Sequence, residues 1–132
     1  MGEPVIYGKA QRFAIRVMRM CEVLRFRNAS PAVLSQIGRS ATSISANLAE
    51  ARSAVSEADF YNKLMIALKE ARESENWLVI LHGTRKLSEA EFQSIHVDCE
   101  EVIRILVATT RTLYRKRMQR PISPPSDAPP DA

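Results

Sequence analysis

Two sets of side chains in this 132-residue chain have the types and spacing to do chemistry. The first is polar. Gln36, Ser40, Ser43, Asn47 and Glu50 recur three or four residues apart, which puts them on one stripe of an α-helix. Arg39 lies beside that stripe, and Glu70 and Glu73 stand one turn apart further along. Hydroxyls could serve as nucleophiles and paired carboxylates as acid and base, but a serine needs a positioned base. Neither Ser40 nor Ser43 has a histidine at helical spacing. An ion pair from Glu70 or Glu73 to Arg39, or a hydrogen bond to the stripe, accounts for the carboxylates without catalysis. The stripe, with Arg39 and Glu73, is therefore expected to be structural. Asn47 and Glu50 are expected to be substantially buried and hydrogen-bonded, because they flank an apolar seam.

The second set is basic: Lys9, Arg12, Arg52, Arg111, Arg115, Lys116 and Arg117. Cations of this kind bind phosphate backbones without reading bases. The competing reading is a solvated helix face, since lysine and arginine on exposed helices are ordinary. Other chemistry finds no motif. There is no Gly-rich phosphate loop, no Cys-x-x-Cys and no His-Glu-x-x-His. Di-iron bundles need Glu-x-x-His, whereas Val79 and Gln93 stand three residues before His82 and His96. Both histidines are read as surface or boundary residues. No metal, no cofactor and no enzymatic activity is expected.

These groups must be positioned by helices. Leu34, Ile37, Ala41, Ile44, Leu48 and Ala51 form a seam at spacings of three and four. The polar stripe lies about 100° around the helix from it. Ser30-Pro31 opens this second helix, Ser as cap and Pro in the first turn, and it runs to about Arg52. The first helix spans Val5 to about Arg27, with Ile6, Ala10, Phe13, Val17 and Leu24 along one stripe. The third runs from about Glu57 to Gly83 behind a Ser56-Glu57-Ala58-Asp59 cap, with Leu64, Ala67, Ala71, Ser74, Leu78 and Leu81 as its seam. Gly83 and Thr84 end it as a glycine C-cap would. The fourth follows the complete capping box Ser88-Glu89-Ala90-Glu91 and reaches about Gln119, stopped by Pro121. Connections of a few residues force antiparallel neighbours, so the fold class is all-α, an up-down-up-down four-helix bundle.

Composition agrees: 45% apolar, 6% aromatic and four glycines suit helices rather than a sandwich or barrel. Residues 1–4 read as a lead-in, 5–120 as the bundle and 121–132 as a disordered, Pro-rich acidic tail. Cys21 and Cys99 fall inside apolar helical patterns and read as reduced core thiols of a cytoplasmic protein. No secretory apolar region or long uncharged run is seen, so no membrane role is expected. The net charge of +4 is uneven: Arg111 to Arg120 holds five basic residues and no acid, which invites an anionic partner.

The second helix also carries a family resemblance. The small bacterial four-helix-bundle proteins named after intervening sequences in large-subunit ribosomal RNA genes have a Gln, hydrophobic, Arg-Arg segment. It is followed by Ser-Ile-x-x-Asn-hydrophobic-Ala-Glu-Gly. Gln36, Ile37, Arg39, Ser40, Ser43, Ile44, Asn47, Leu48, Ala49 and Glu50 match, while Gly38 and Ala51 depart from the pattern. The stretch DFYNKLMIALKEARESENWL resembles the family's third helix, with Phe60, Leu64, Ala67, Glu73, Glu75 and Leu78 in register. The resemblance covers roughly residues 5 to 115. It implies a four-helix bundle and a homo-oligomer, a ring of five. A related family serves as accessory protein to reverse transcriptases in diversity-generating retroelements. That points to RNA, DNA or a reverse transcriptase as partner.

In such a bundle the start of the first helix and the end of the fourth share one pole, with Arg52 at the nearby turn. The seven basic residues are expected to gather there. A nucleic-acid accessory or scaffold protein is the leading functional expectation, and a purely structural self-assembling module the other. Val17 with Met18, and Val102 with Ile103, give the first and fourth helices more apolar breadth than a two-sided contact requires, as an interface would.

Overall fold

The computed structural model describes residues 4–119. The expected tail, with Arg120, Asp127 and Asp131, lies outside the described residues. Four helices follow one another: α1 (Val5–Phe26), α2 (Pro31–Ala51), α3 (Glu57–Gly83) and α4 (Glu89–Gln119). Among the described residues there is no strand. Each helix packs against its chain neighbours and α4 closes on α1, with no packing across either diagonal. The protein is an antiparallel up-down-up-down four-helix bundle. The α2–α3 seam is the most extensive and the α1–α4 seam the thinnest.

Local chemistry sets the ends. The Ser30 hydroxyl accepts from the Val33 amide, with Pro31 at the first helical position. Ser56 accepts from the Asp59 amide at 3.0 Å, and the Asp59 carboxylate accepts from Val55 rather than from Ser56. The reciprocal box is thus completed one residue early. At α4 the box is regular: Glu91 N–H donates to Ser88 Oγ, and Ser88 N–H donates to Glu91 Oε1 at 2.8 Å. The end of α3 differs from expectation. Gly83 is its last helical residue and has no positive φ, whereas Arg85 does, at 63°. The amides of Lys86 and Leu87 reach back to the Leu81 carbonyl past this left-handed residue. Asn28, at φ 57°, does the same after α1, sending the Ala29 amide to the Leu24 carbonyl. Asparagine tolerates that conformation better than arginine.

The core is one cluster running the length of the bundle, with Phe13, Leu24, Ile37, Ile44, Leu48, Leu78 and Leu106 almost wholly buried. Burying each of these contributes about 1.5–3 kcal/mol, against roughly 0–1 kcal/mol for an exposed ion pair. The apolar seams therefore decide the fold, and charged pairs at most fix how the helices are staggered. Across α2–α3 the fully buried Ser40 and Ser74 hydroxyls meet at 2.8 Å. Ala67 and Ala71, also fully buried, let the two helices close around that pair.

Candidate nucleic-acid interface

The polar stripe of α2 faces α3 and divides by side-chain length. Ser40 is buried; Ser43 and Asn47 are half-buried; Gln36, Arg39 and Glu50 are exposed. A position 100° from the core seam is only half covered, so short side chains stay under the neighbouring helix while long ones carry their heads to water. Glu50 therefore corrects the expectation of burial: it pairs with Lys63 at 2.9 Å in solvent. Asn47 bonds within its own helix, donating to the Ser43 carbonyl at 2.9 Å and to the Ser43 hydroxyl. Arg39 donates to Gln36 Oε1, to Glu70 Oε2 at 2.9 Å and to Glu73. Glu73 also accepts from Trp77 Nε1 at 3.1 Å, and that bond, with Arg39, holds its carboxyl below the usual range. Both carboxylates are thereby engaged in joining α2 to α3.

The seven basic residues do not all meet. Lys9 pairs with Glu101, and Arg12 lies on the same flank of α1 beside Arg16 and Asp98. Glu101 is sixteen residues short of Arg117, about 24 Å of helix rise. The reason is stagger: α1 has 22 residues and α4 has 31, and α4 runs on past the start of α1. Lys9 and Arg12 thus belong to the α1–α4 flank, correcting their placement at the pole. There Arg16 also bonds Asp98 at 2.6 Å and the Ser94 hydroxyl at 2.9 Å.

The other five are brought to one end. Past Arg111 only Leu113 keeps partial cover, and Arg111, Arg115, Lys116 and Arg117 are all exposed. Arg52, just after α2, and Lys116 and Arg117, on the overhang, border one groove of about 480 Å³. Arg52 lies over the Tyr7 ring at 4.1 Å, and Arg117 over the Tyr61 ring at 5.5 Å. Among the described residues, Arg111, Arg115 and Lys116 have no carboxylate within ion-pairing distance. The tyrosines and the apolar lining were missed in the sequence, where Tyr7 and Tyr61 read as ordinary helix residues and Val55 falls in the link between two helices.

At the opposite end the histidines stack. His82 and His96 flank Phe92 at centroid distances of 4.4 and 4.8 Å. Each also meets carboxylates: His82 with Glu89, and His96 with Glu75 and Glu100. Among the described residues no group of three or more histidine, cysteine or acidic side chains is arranged to hold a metal ion, and no helix is long and apolar enough to cross a membrane.

Fold and surface together define a small all-α bundle with one basic, aromatic-lined end. The chain belongs to the 23S rRNA-intervening sequence protein family, whose model matches residues 3–108. It is also similar to a solved structure from Bacteroides thetaiotaomicron VPI-5482, a protein of unknown function from the S23 ribosomal protein family. That chain is 40% identical, with a TM-score of 0.78 over 80% of this chain and 98% of its own. No curated protein matches the chain.

Proposed function

We propose that this protein is a non-enzymatic bundle that binds nucleic acid through the end formed by Arg52, Arg111, Arg115, Lys116 and Arg117. The observation that carries the reading is convergence. Cations from the α2–α3 turn and from the α4 overhang border one groove, and the four on α4 have no acidic partner among the described residues. A protein whose cations served only solubility would not need to collect them from separate segments. A self-assembling module draws its support from the outer surface, where Ile15, Met18 and Val97 are about half exposed. Assembly of several copies, five in the ring that the resemblance implies, would repeat the basic end around an axis and strengthen a weak single contact. A reverse transcriptase is a further candidate partner for the same surface, as the resemblance implies. Two separate buried thiols, Cys21 and Cys99, suit the reducing cytoplasm.

The test is anisotropy of labelled RNA and DNA over a salt series. Binding is expected to weaken steeply with salt and to show little sequence preference. Replacing Arg115, Lys116 and Arg117 by alanine should lower affinity and flatten the salt slope by up to about three units. The melting curve should stay unchanged, because all three are exposed. No binding at about 50 mM salt and micromolar protein, with or without residues after Arg120, leaves self-assembly as the function.

A further inference from the structure

The basic end is not only basic. Between Arg52, Lys116 and Arg117 the groove has an apolar floor of Val55, Phe60 and Leu113, with Tyr61 at its side. Val55 is 91% exposed on the α2–α3 turn. A surface that only tracked phosphates has no use for such a floor: duplex backbones present charge and sugar edges, not apolar faces. Bases of a single strand do present flat apolar faces, next to phosphates.

Resting on the nucleic-acid reading, we infer that the groove takes an unpaired base of a single strand, with its flanking phosphates at Arg52, Lys116 and Arg117. The two tyrosines show where there is room. Arg52 sits at 4.1 Å over Tyr7, in stacking contact, so that ring is covered. Arg117 stands at 5.5 Å over Tyr61, attracted by the ring but too distant to seal it. A base entering against Tyr61 and the Val55–Phe60–Leu113 floor replaces the Arg117 guanidinium over the ring and leaves that cation beside the phosphate. The volume, about 480 Å³, falls in the range of sites for small organic groups. Charge and shape agree: three cations at the rim, an apolar bed and an aromatic side wall form an electrostatic funnel over a stacking platform.

The experiment compares three fluorescent ligands on the full chain at one salt concentration. They are a short uridine RNA, an abasic ribose-phosphate oligomer of equal length, and a duplex with the same number of phosphates. The uridine strand is expected to bind about tenfold more tightly than the abasic one, and more tightly than the duplex. Tyr61→Leu keeps apolar bulk but removes the ring. It should erase most of that difference while leaving the salt slope and the abasic affinity unchanged. Val55→Ser, at an exposed position where folding is not at stake, should reduce the difference in the same direction. If all three ligands bind alike in the parent protein, the base-binding groove is wrong while the nucleic-acid reading stands. If none binds, both are wrong. If an acidic peptide competes at the groove but the uridine strand does not, the site is a protein-docking surface and the inference is overturned.

Discussion

Where the α1–α2 and α3–α4 turns meet, Arg27 donates to both oxygens of Glu91, at 2.8 and 2.9 Å, and to the Lys86 carbonyl. Lys86 returns a bond to the Arg27 carbonyl at 2.9 Å. Ala29 and Leu87 are buried beneath. At the other end, Lys116, Arg115 and Arg111 project from an overhanging helix, and Val55 is left in water. Both ends carry arginine and lysine, so the mere presence of cations does not distinguish them. What differs is whether the surrounding backbone and carboxylates complete the bonds those cations can make. One end joins two turns, while at the other Arg111, Arg115 and Lys116 have no carboxylate within ion-pairing distance among the described residues.

Breaking the closed end should have the largest effect. Leu87→Ala removes a buried side chain that pins the α3–α4 turn, and a loss of about 2–5 kcal/mol is expected in urea unfolding. Val55→Ala at the open end should stay within about 0.5 kcal/mol. Equal losses at the two positions would show that the ends are not different in kind.

A smaller effect should appear in acid. The Arg27 fork and the Ser88 amide hold the Glu91 carboxyl down from 4.5 to about 2. A carboxylate whose folded value is depressed adds stability above its unfolded value and loses it as the pH falls toward the folded one. That loss should run between about pH 4.5 and pH 2. Glu91 is well exposed, so solvent screening makes the contribution modest. Glu91→Gln should flatten the fall of melting temperature across that window while lowering stability at neutral pH. An identical acid profile in parent and variant would remove this pair from the account of the closed end.

The helices were legible because several kinds of signal coincide at their ends. Ser30-Pro31, the Ser88–Glu91 box and the seams at spacings of three and four give α2, α3 and α4 starts that the structure keeps, and α1 and α2 ends within one residue. Gly83 misled because glycine marks where a chain is able to turn, while the left-handed residue proved to be Arg85. Glu50 misled because helical angle alone does not say whether a long side chain leaves the groove. The basic end was half legible. Sequence gives helix lengths but not the stagger between α1 and α4, which the Lys9–Glu101 and Arg16–Asp98 pairs set. So Lys9 and Arg12 moved to a flank. The groove floor could not be read, since Val55, Phe60, Tyr61 and Leu113 converge only once α4 passes the α2–α3 turn.

The unequal seams also order events in time. Ser40 and Ser74 meet across 34 residues of chain, whereas Arg16 reaches Ser94 and Asp98 across 78 and 82. Loop closure costs more as the intervening chain lengthens, and the α1–α4 contact that must offset this is the thinnest of the four. The α2–α3 hairpin is then expected to form first in folding, and the approach of α1 to α4 last. Core truncations in α2 or α3 should slow refolding, while those in α1 should mainly hasten unfolding. Stopped-flow chevrons of Ile44→Val and Val17→Ala would show this, and a folding arm slowed equally by both would refute it. Local opening ahead of global unfolding is expected to start where α1 and α4 part along this thin seam, leaving the α2–α3 pair intact.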